Sequence, residues 1–156
     1  MTSRSLPVFV DAELCAPCGG RCCKTAPGMA VPSDFGPTEA LREALTIALR
    51  SGRWTIEAGR DTPGIVDGYI VRPAIKGDEG LAFSARTFGE CTFLDPAVGC
   101  LIFEKRPAQC RALVPIGGGQ CSMPSDFSGK EPFIEAWAPY RDQIDDAVSA
   151  ARSEER

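Results

Sequence analysis

Histidine is absent from the 156-residue sequence, which removes the side chain best suited to proton transfer at neutral pH and the commonest nitrogen ligand for metals. Any zinc site must then be all-cysteine or completed by carboxylate. Basic charge is also short: 17 Lys and Arg against 21 Asp and Glu leave a net charge of −4, with no cationic footprint for DNA or RNA. No stretch approaches the roughly 20 apolar residues that span a bilayer. The N-terminal run from Leu6 to Val10 is broken by Pro7, stops at Asp11 and lacks a small-residue cleavage site, so it is too short for the core of a signal peptide. No internal repeat is visible, no G-x-G-x-x-G fingerprint follows a strand pattern, and neither Lys-Ser nor Lys-Thr follows Gly117-Gly118-Gly119, so nucleotide binding has no motif. These absences point to a cytoplasmic protein that binds neither nucleic acid nor membrane.

What is present is a globular composition, 44% apolar and 24% charged, with 16 Gly and 13 Pro that imply a loop-rich body. The length suits one domain over residues 1–156. Thr38 to Ser51 reads as an amphipathic helix, with Leu41, Ala44, Leu45, Ala48 and Leu49 on one face, Pro37 near its start and Gly52 past its end. Trp54 to Glu57, Tyr69 to Ile75 and Leu81 to Thr87 read as short strands of a small antiparallel sheet, bounded by glycines. Thr92-Phe93-Leu94 and Leu101-Ile102-Phe103 flank the turn signal Asp95-Pro96-Ala97-Val98-Gly99, a hairpin that would bring Cys91 and Cys100 close together. Phe133, Trp137, Tyr140, Ile144 and Val148 recur at helical spacing in a segment opened by Pro132 and kinked at Pro139. The expected class is α+β, with a short antiparallel sheet, two amphipathic helices and cysteine-bearing loops that converge.

Eight cysteines fall into two blocks, Cys15, Cys18, Cys22 and Cys23, then Cys91, Cys100, Cys110 and Cys121. Cys15-Ala16-Pro17-Cys18 is a C-x2-C pair, a spacing that lets two thiolates face one ion with sulfurs about 3.7 Å apart. Gly19 and Gly20 free the backbone to wrap closely before Cys22 and Cys23 arrive. Side chains of adjacent residues diverge, so Cys22 and Cys23 are not both ordinary ligands of one ion; one serves a second centre or is a buried thiol. An even cysteine count also admits a disulfide framework, which the cytoplasmic reading and moderate cysteine density oppose. All eight cysteines are candidate ligands.

The second block runs Cys91-Thr92-Phe93-Leu94, then Cys100-Leu101-Ile102-Phe103-Glu104-Lys105-Arg106-Pro107-Ala108-Gln109-Cys110-Arg111. With the opening Cys15 to Cys23 it resembles the YkgJ-like cysteine-cluster family, whose pattern is C-x2-C-x2-C-C followed by C-x-F-L and C-x-I-[FY]-x-x-R-P-x-x-C-R. Here the opening is one residue longer, C-x2-C-x3-C-C. The resemblance implies that these cysteines chelate zinc or iron. Four thiolates around either Zn2+ or an oxidised four-iron cluster leave a net charge of −2, so nearby cations stabilise the centre. Arg21, Arg106 and Arg111 are the candidates for that compensation, with Lys24 and Lys105 beside them; solvated surface charge is the plainer account of the lysines. Gly117 to Gly119 either brings main-chain N–H groups to the centre or forms a turn.

An iron–sulfur cluster of the 4Fe-4S type is favoured over zinc, because a common zinc ribbon carries two C-x2-C knuckles and this chain has one. The leading function is an accessory, carrier or redox module that holds its centre for a protein partner; a structural zinc protein is the alternative. An enzyme is the other class. A relative of the family, the flagellin lysine N-methylase, carries the same kind of cluster, which implies modification of a protein side chain. Catalysis here would fall to the metal, to an unligated Cys22 or Cys23, or to Glu90, Asp95 and Glu104, each of which also has a plain role flanking a strand or starting a turn. No catalytic residue is assigned.

Overall fold

Among the described residues the first α-helix forms where apolar residues recur every three to four positions. A 3-10 turn, Thr38–Ala40, leads into α1 (Leu41–Arg50), which buries Leu41, Leu45, Thr46 and Leu49. The expected start at Thr38 is thus the tighter turn, a common way to enter an α-helix. Gly52 follows with φ of 79°, a left-handed conformation that reverses the chain beyond the helix end. The structure, a computed structural model, describes residues 27–59, 68–84, 86, 88–95, 99–102, 105–112, 114–117, 120–122 and 130–153.

β1 (Trp54–Gly59) pairs antiparallel with β2 (Gly68–Pro73), in a register running from Trp54 opposite Pro73 to Gly59 opposite Gly68. β2 stops short of the expected Ile75: Pro73 has no N–H to continue the ladder, and Ile75 instead forms an isolated antiparallel bridge with Cys91. The expected third strand, Leu81 to Thr87, is in its described part a single bridge. Phe83 meets Ile56 in parallel, through Ile56 N–H to Ala82 O and Ser84 N–H to Ile56 O. Turns closed by Asp78 N–H to Ile75 O and Leu81 N–H to Asp78 O, with Gly77 and Gly80 at positive φ, carry the chain to the far edge of β1.

The hairpin around Asp95 to Gly99 is β3 (Leu94–Asp95) against β4 (Gly99–Cys100), with Leu94 opposite Cys100. α2 (Ala108–Ala112) follows, then β5 (Val114–Gly117) and β6 (Gln120–Ser122), paired antiparallel. Among the described residues the sheet content is therefore three separate two-stranded antiparallel pairs. The chain closes with α3 (Glu131–Trp137), a 3-10 turn over Ala138–Tyr140 and α4 (Arg141–Ser153). Pro139 lies inside that turn and accounts for the expected break.

The fold is α+β. Its main core joins α1 and α4 over β1 and β2: Leu41, Leu45, Leu49, Ile56, Val71, Trp137, Ile144, Ala147, Val148 and Ala151 pack together. A row of aromatic rings runs outward from it, Trp137 to Phe35 at 5.9 Å, Phe35 to Trp54 at 5.0 Å and Trp54 to Phe93 at 5.8 Å between centroids. A smaller cluster of Ile70, Ala108 and Phe133, with Met29, Val31 and Ile134 against it, seats α2 on β2 and α3. Among the described residues no helix is long and apolar enough to cross a membrane.

Candidate metal centre

α2 carries Cys110 and is five residues long, too short for its own hydrogen bonds to hold it. Its position comes from its surroundings. Pro107 precedes its first residue, where a missing N–H costs nothing. Ala108 is buried against Ile70 and Phe133. Arg111 N–H donates to Pro107 O at 3.0 Å. Arg106 Nη1 reaches Cys110 O at 3.4 Å, and Arg111 Nη1 reaches Arg106 O. The R-P-x-x-C-R segment thus folds back on itself around the cysteine.

The same helix receives the chain as it leaves the first cysteine block. Met29 N–H donates to Gln109 Oε1 at 3.0 Å, and Gln109 N–H donates to Met29 O at 3.1 Å. Ala30 is tied on both sides, its N–H to Val71 O at 2.8 Å and its carbonyl to Trp137 Nε1 at 2.8 Å. Gly28 lies directly against Cys110: a Cβ at residue 28 would overlap Cys110 Sγ and stand 3.1 Å from its main-chain nitrogen. The absence of a side chain at Gly28 is what permits this approach.

Asp34 joins the two segments. It lies in a 3-10 turn, Pro32–Phe35, and its side chain is 7% exposed. Oδ2 accepts the main-chain N–H of Val31 at 3.0 Å and of Ala108 at 2.9 Å, while Oδ1 accepts Arg111 Nη1 at 2.6 Å. Asp34 was not singled out in the sequence. A usable signal existed: Val31-Pro32-Ser33-Asp34 sets proline at the first helical position and an acid at the third, which reaches back to the N–H three residues earlier.

The other described cysteines lie on other elements, Cys91 at its isolated bridge, Cys100 in β4 and Cys121 in β6. Cys91 is buried and Cys100 half-buried, as is Cys110. Cys91 is fixed by its bridge to Ile75 and by Leu94 N–H donating to its carbonyl at 3.0 Å; Cys100 sits opposite Leu94. Beside Cys91, Thr92 Oγ1 contacts Glu79 Oε2 at 3.2 Å, and Glu79 Oε1 accepts Gly77 N–H at 2.8 Å. Main-chain N–H groups of Glu79 and Gly77 hold that carboxyl below its ordinary range. Cys121 pairs through its backbone with Pro115, and Gly117 stands opposite Gln120; Gly118 and Gly119 lie outside the described residues. Cys15, Cys18, Arg21, Cys22, Cys23 and Lys24 lie outside the described residues. Among the candidates for catalysis, Glu90 pairs with Lys76 Nζ at 3.1 Å, Asp95 sits in β3 opposite Gly99, and Glu104 lies outside the described residues.

Among the described residues no three His, Cys, Asp or Glu side chains gather closely enough to hold a metal ion. The donors that are described fit zinc or iron in kind, since soft thiolates favour these metals over magnesium or calcium. In place, Cys110 stands with its sulfur packed against Gly28, five residues beyond Cys23. No curated protein and no solved structure matches the chain. A family model does, over residues 14–116, more than half of the chain and a span that takes in the first block, Cys91, Cys100 and Cys110. The chain belongs to the CxxCxxCC family, described as a putative zinc- or iron-chelating domain.

Proposed function

We propose that the chain is a cysteine-ligated metal module in which thiolates of both blocks share one centre, and that this centre is an iron–sulfur cluster of the 4Fe-4S type held for a protein partner. One observation carries the convergence. The chain leaving the first block is hydrogen-bonded to the helix of Cys110, with Gly28 against the Cys110 sulfur. Gly28 follows Cys23 by five residues, and covalent reach alone keeps the two within about 18 Å.

The preference for iron–sulfur rests on the donor pattern: no histidine, one C-x2-C knuckle instead of two, and irregular spacings between the remaining cysteines. Such thiolates persist in a reducing compartment, which is the support for the cytoplasm. The support for a partner is chemical. A cysteine-ligated cluster takes up and gives up electrons at potentials its surroundings set, chemistry that a partner protein can draw on.

The test is metal and acid-labile sulfide analysis of protein purified without air, together with its visible spectrum. A brown protein containing iron and sulfide is expected, because thiolate-to-iron charge transfer absorbs visible light and d10 zinc does not. A colourless protein with stoichiometric zinc and no sulfide overturns the cluster and leaves a zinc module. Replacing Cys110 or Cys15 by Ala is expected to lower metal content. Full metallation in both variants overturns the shared centre.

A further inference from the structure

We propose that Asp34 is a positioning residue for the metal centre, its buried carboxylate fixing the Cys110 thiol where the chain leaves the first cysteine block. The proposal rests on the reading that Cys110 is a ligand.

The orientation of α2 is set from outside it, by the reciprocal hydrogen bonds of Gln109 with Met29 and by Asp34. A single turn of helix has no internal rigidity to transmit, and the packing of Ala108 against Ile70 and Phe133 fixes where the turn sits, not how it is rotated about its axis. Rotation is what aims a cysteine. Asp34 engages α2 on both sides of Cys110: through the N–H of Ala108, two residues before it, and through the guanidinium of Arg111, one residue after it. Two contacts from one carboxylate define a direction as well as a position. The third contact, to Val31 N–H, fastens the segment three residues beyond Gly28. One carboxylate is therefore the common reference for both walls of the Gly28–Cys110 contact.

The charge on Asp34 also matters. Hydrogen bonds to an ionised acceptor are about twice as strong as neutral ones, and an Asn in its place keeps a single acceptor oxygen and loses the ion pair with Arg111. The apolar seat of Ala108 and the Met29–Gln109 pairing remain in that variant, so the fold has other support. What is lost is the aim of one ligand. Groups that orient metal ligands without touching the metal are worth about 10- to 100-fold in metal affinity.

The experiment uses the full chain purified without air with the metal it holds, in four forms: unaltered, Asp34→Asn, Cys110→Ala and the double variant. Two quantities are read: the rate of metal release to a chromophoric chelator, and the extent to which each cysteine is alkylated, by peptide mass spectrometry. Asp34→Asn is expected to speed release about 10- to 100-fold and to raise alkylation at Cys110 above that at Cys15 and Cys18. The double variant is expected to release metal no faster than Cys110→Ala, because Asp34 acts through that thiol. An unchanged release rate in Asp34→Asn, uniform alkylation of all cysteines, or effects that multiply in the double variant each overturn the proposal. If Asp34→Asn does not fold, Arg111→Gln decides, since it leaves both main-chain bonds to Asp34 intact: faster release with selective alkylation of Cys110 supports the positioning role, and no change overturns it. Failure of the underlying reading is separately visible. Should Cys110→Ala itself release metal at the unaltered rate, Cys110 is not a ligand and both readings fall; should Cys110→Ala matter and Asp34→Asn not, the positioning role alone falls.

Discussion

Gly28 and Asp34 show what single residues do here that spacing does not announce. The cysteines stand out because thiols at short intervals are uncommon and have a direct chemical use. Gly28 has no side chain to draw attention and forms no recognisable turn motif. Asp34 looks like one of many surface acids, yet it is bonded to Arg111 across 77 residues of sequence, a separation no local pattern encodes. Gly28→Ala is a sharp test of the close approach. The added methyl would overlap Cys110 Sγ and press on Cys110 N, so the two segments must part, at a cost of about 1–3 kcal/mol as for overpacked cores. Denaturant unfolding of the metal-free protein measures that loss, and metal analysis is expected to show reduced content in the same variant. Full stability with full metal content would mean that the segment yields easily.

At the scale of elements, periodicity served where it had length to work with. α1, α3 and α4 follow from repeating apolar positions, and the break at Pro139 from the chemistry of proline. The hairpin of β3 and β4 follows from its turn residues. The parallel bridge at Phe83 does not, because one residue pair has no period and because the choice of edge on β1 is made by the turns at Gly77 and Gly80. Nor is the ionic link among β1, β2 and α3 legible in the sequence. Glu57 Oε1 accepts Arg72 Nε at 2.7 Å with both side chains almost fully buried, Glu57 Oε2 pairs with Lys130 beside α3, and Arg72 Nη1 donates to Pro73 O at 3.0 Å. A strand that alternates polar and apolar residues normally sends its charges to water; these two are turned inward because each satisfies the other. Replacing Glu57 by Leu strands the Arg72 charge in the interior, and a loss of roughly 3–5 kcal/mol is expected. Glu57→Leu combined with Arg72→Met removes both charges and is expected to recover much of that loss. Midpoints of chemical denaturation for the two variants check the order, which would be reversed if Arg72 owed its place chiefly to the carbonyl of Pro73.

For the molecule as a whole, the α+β class and the chelating family were readable from composition and from two cysteine blocks. The contact of the Met29 segment with α2 was not, since it depends on the smaller apolar cluster under α2 and on hydrogen bonds between Met29 and Gln109, 80 positions later. The row of rings from Trp137 through Phe35 and Trp54 to Phe93 has a consequence of its own. Both tryptophans of the chain lie in it; Trp137 is bonded to the segment that leaves the first block, and Phe93 stands two residues after Cys91. Light emitted by these indoles falls where iron–thiolate centres absorb and where zinc–thiolate centres are transparent. Stripping iron from the protein is accordingly expected to brighten its ultraviolet fluorescence, whereas stripping zinc is expected to leave the brightness nearly unchanged. The fold thus carries its own optical gauge of which metal it holds, readable in dilute solution without any label.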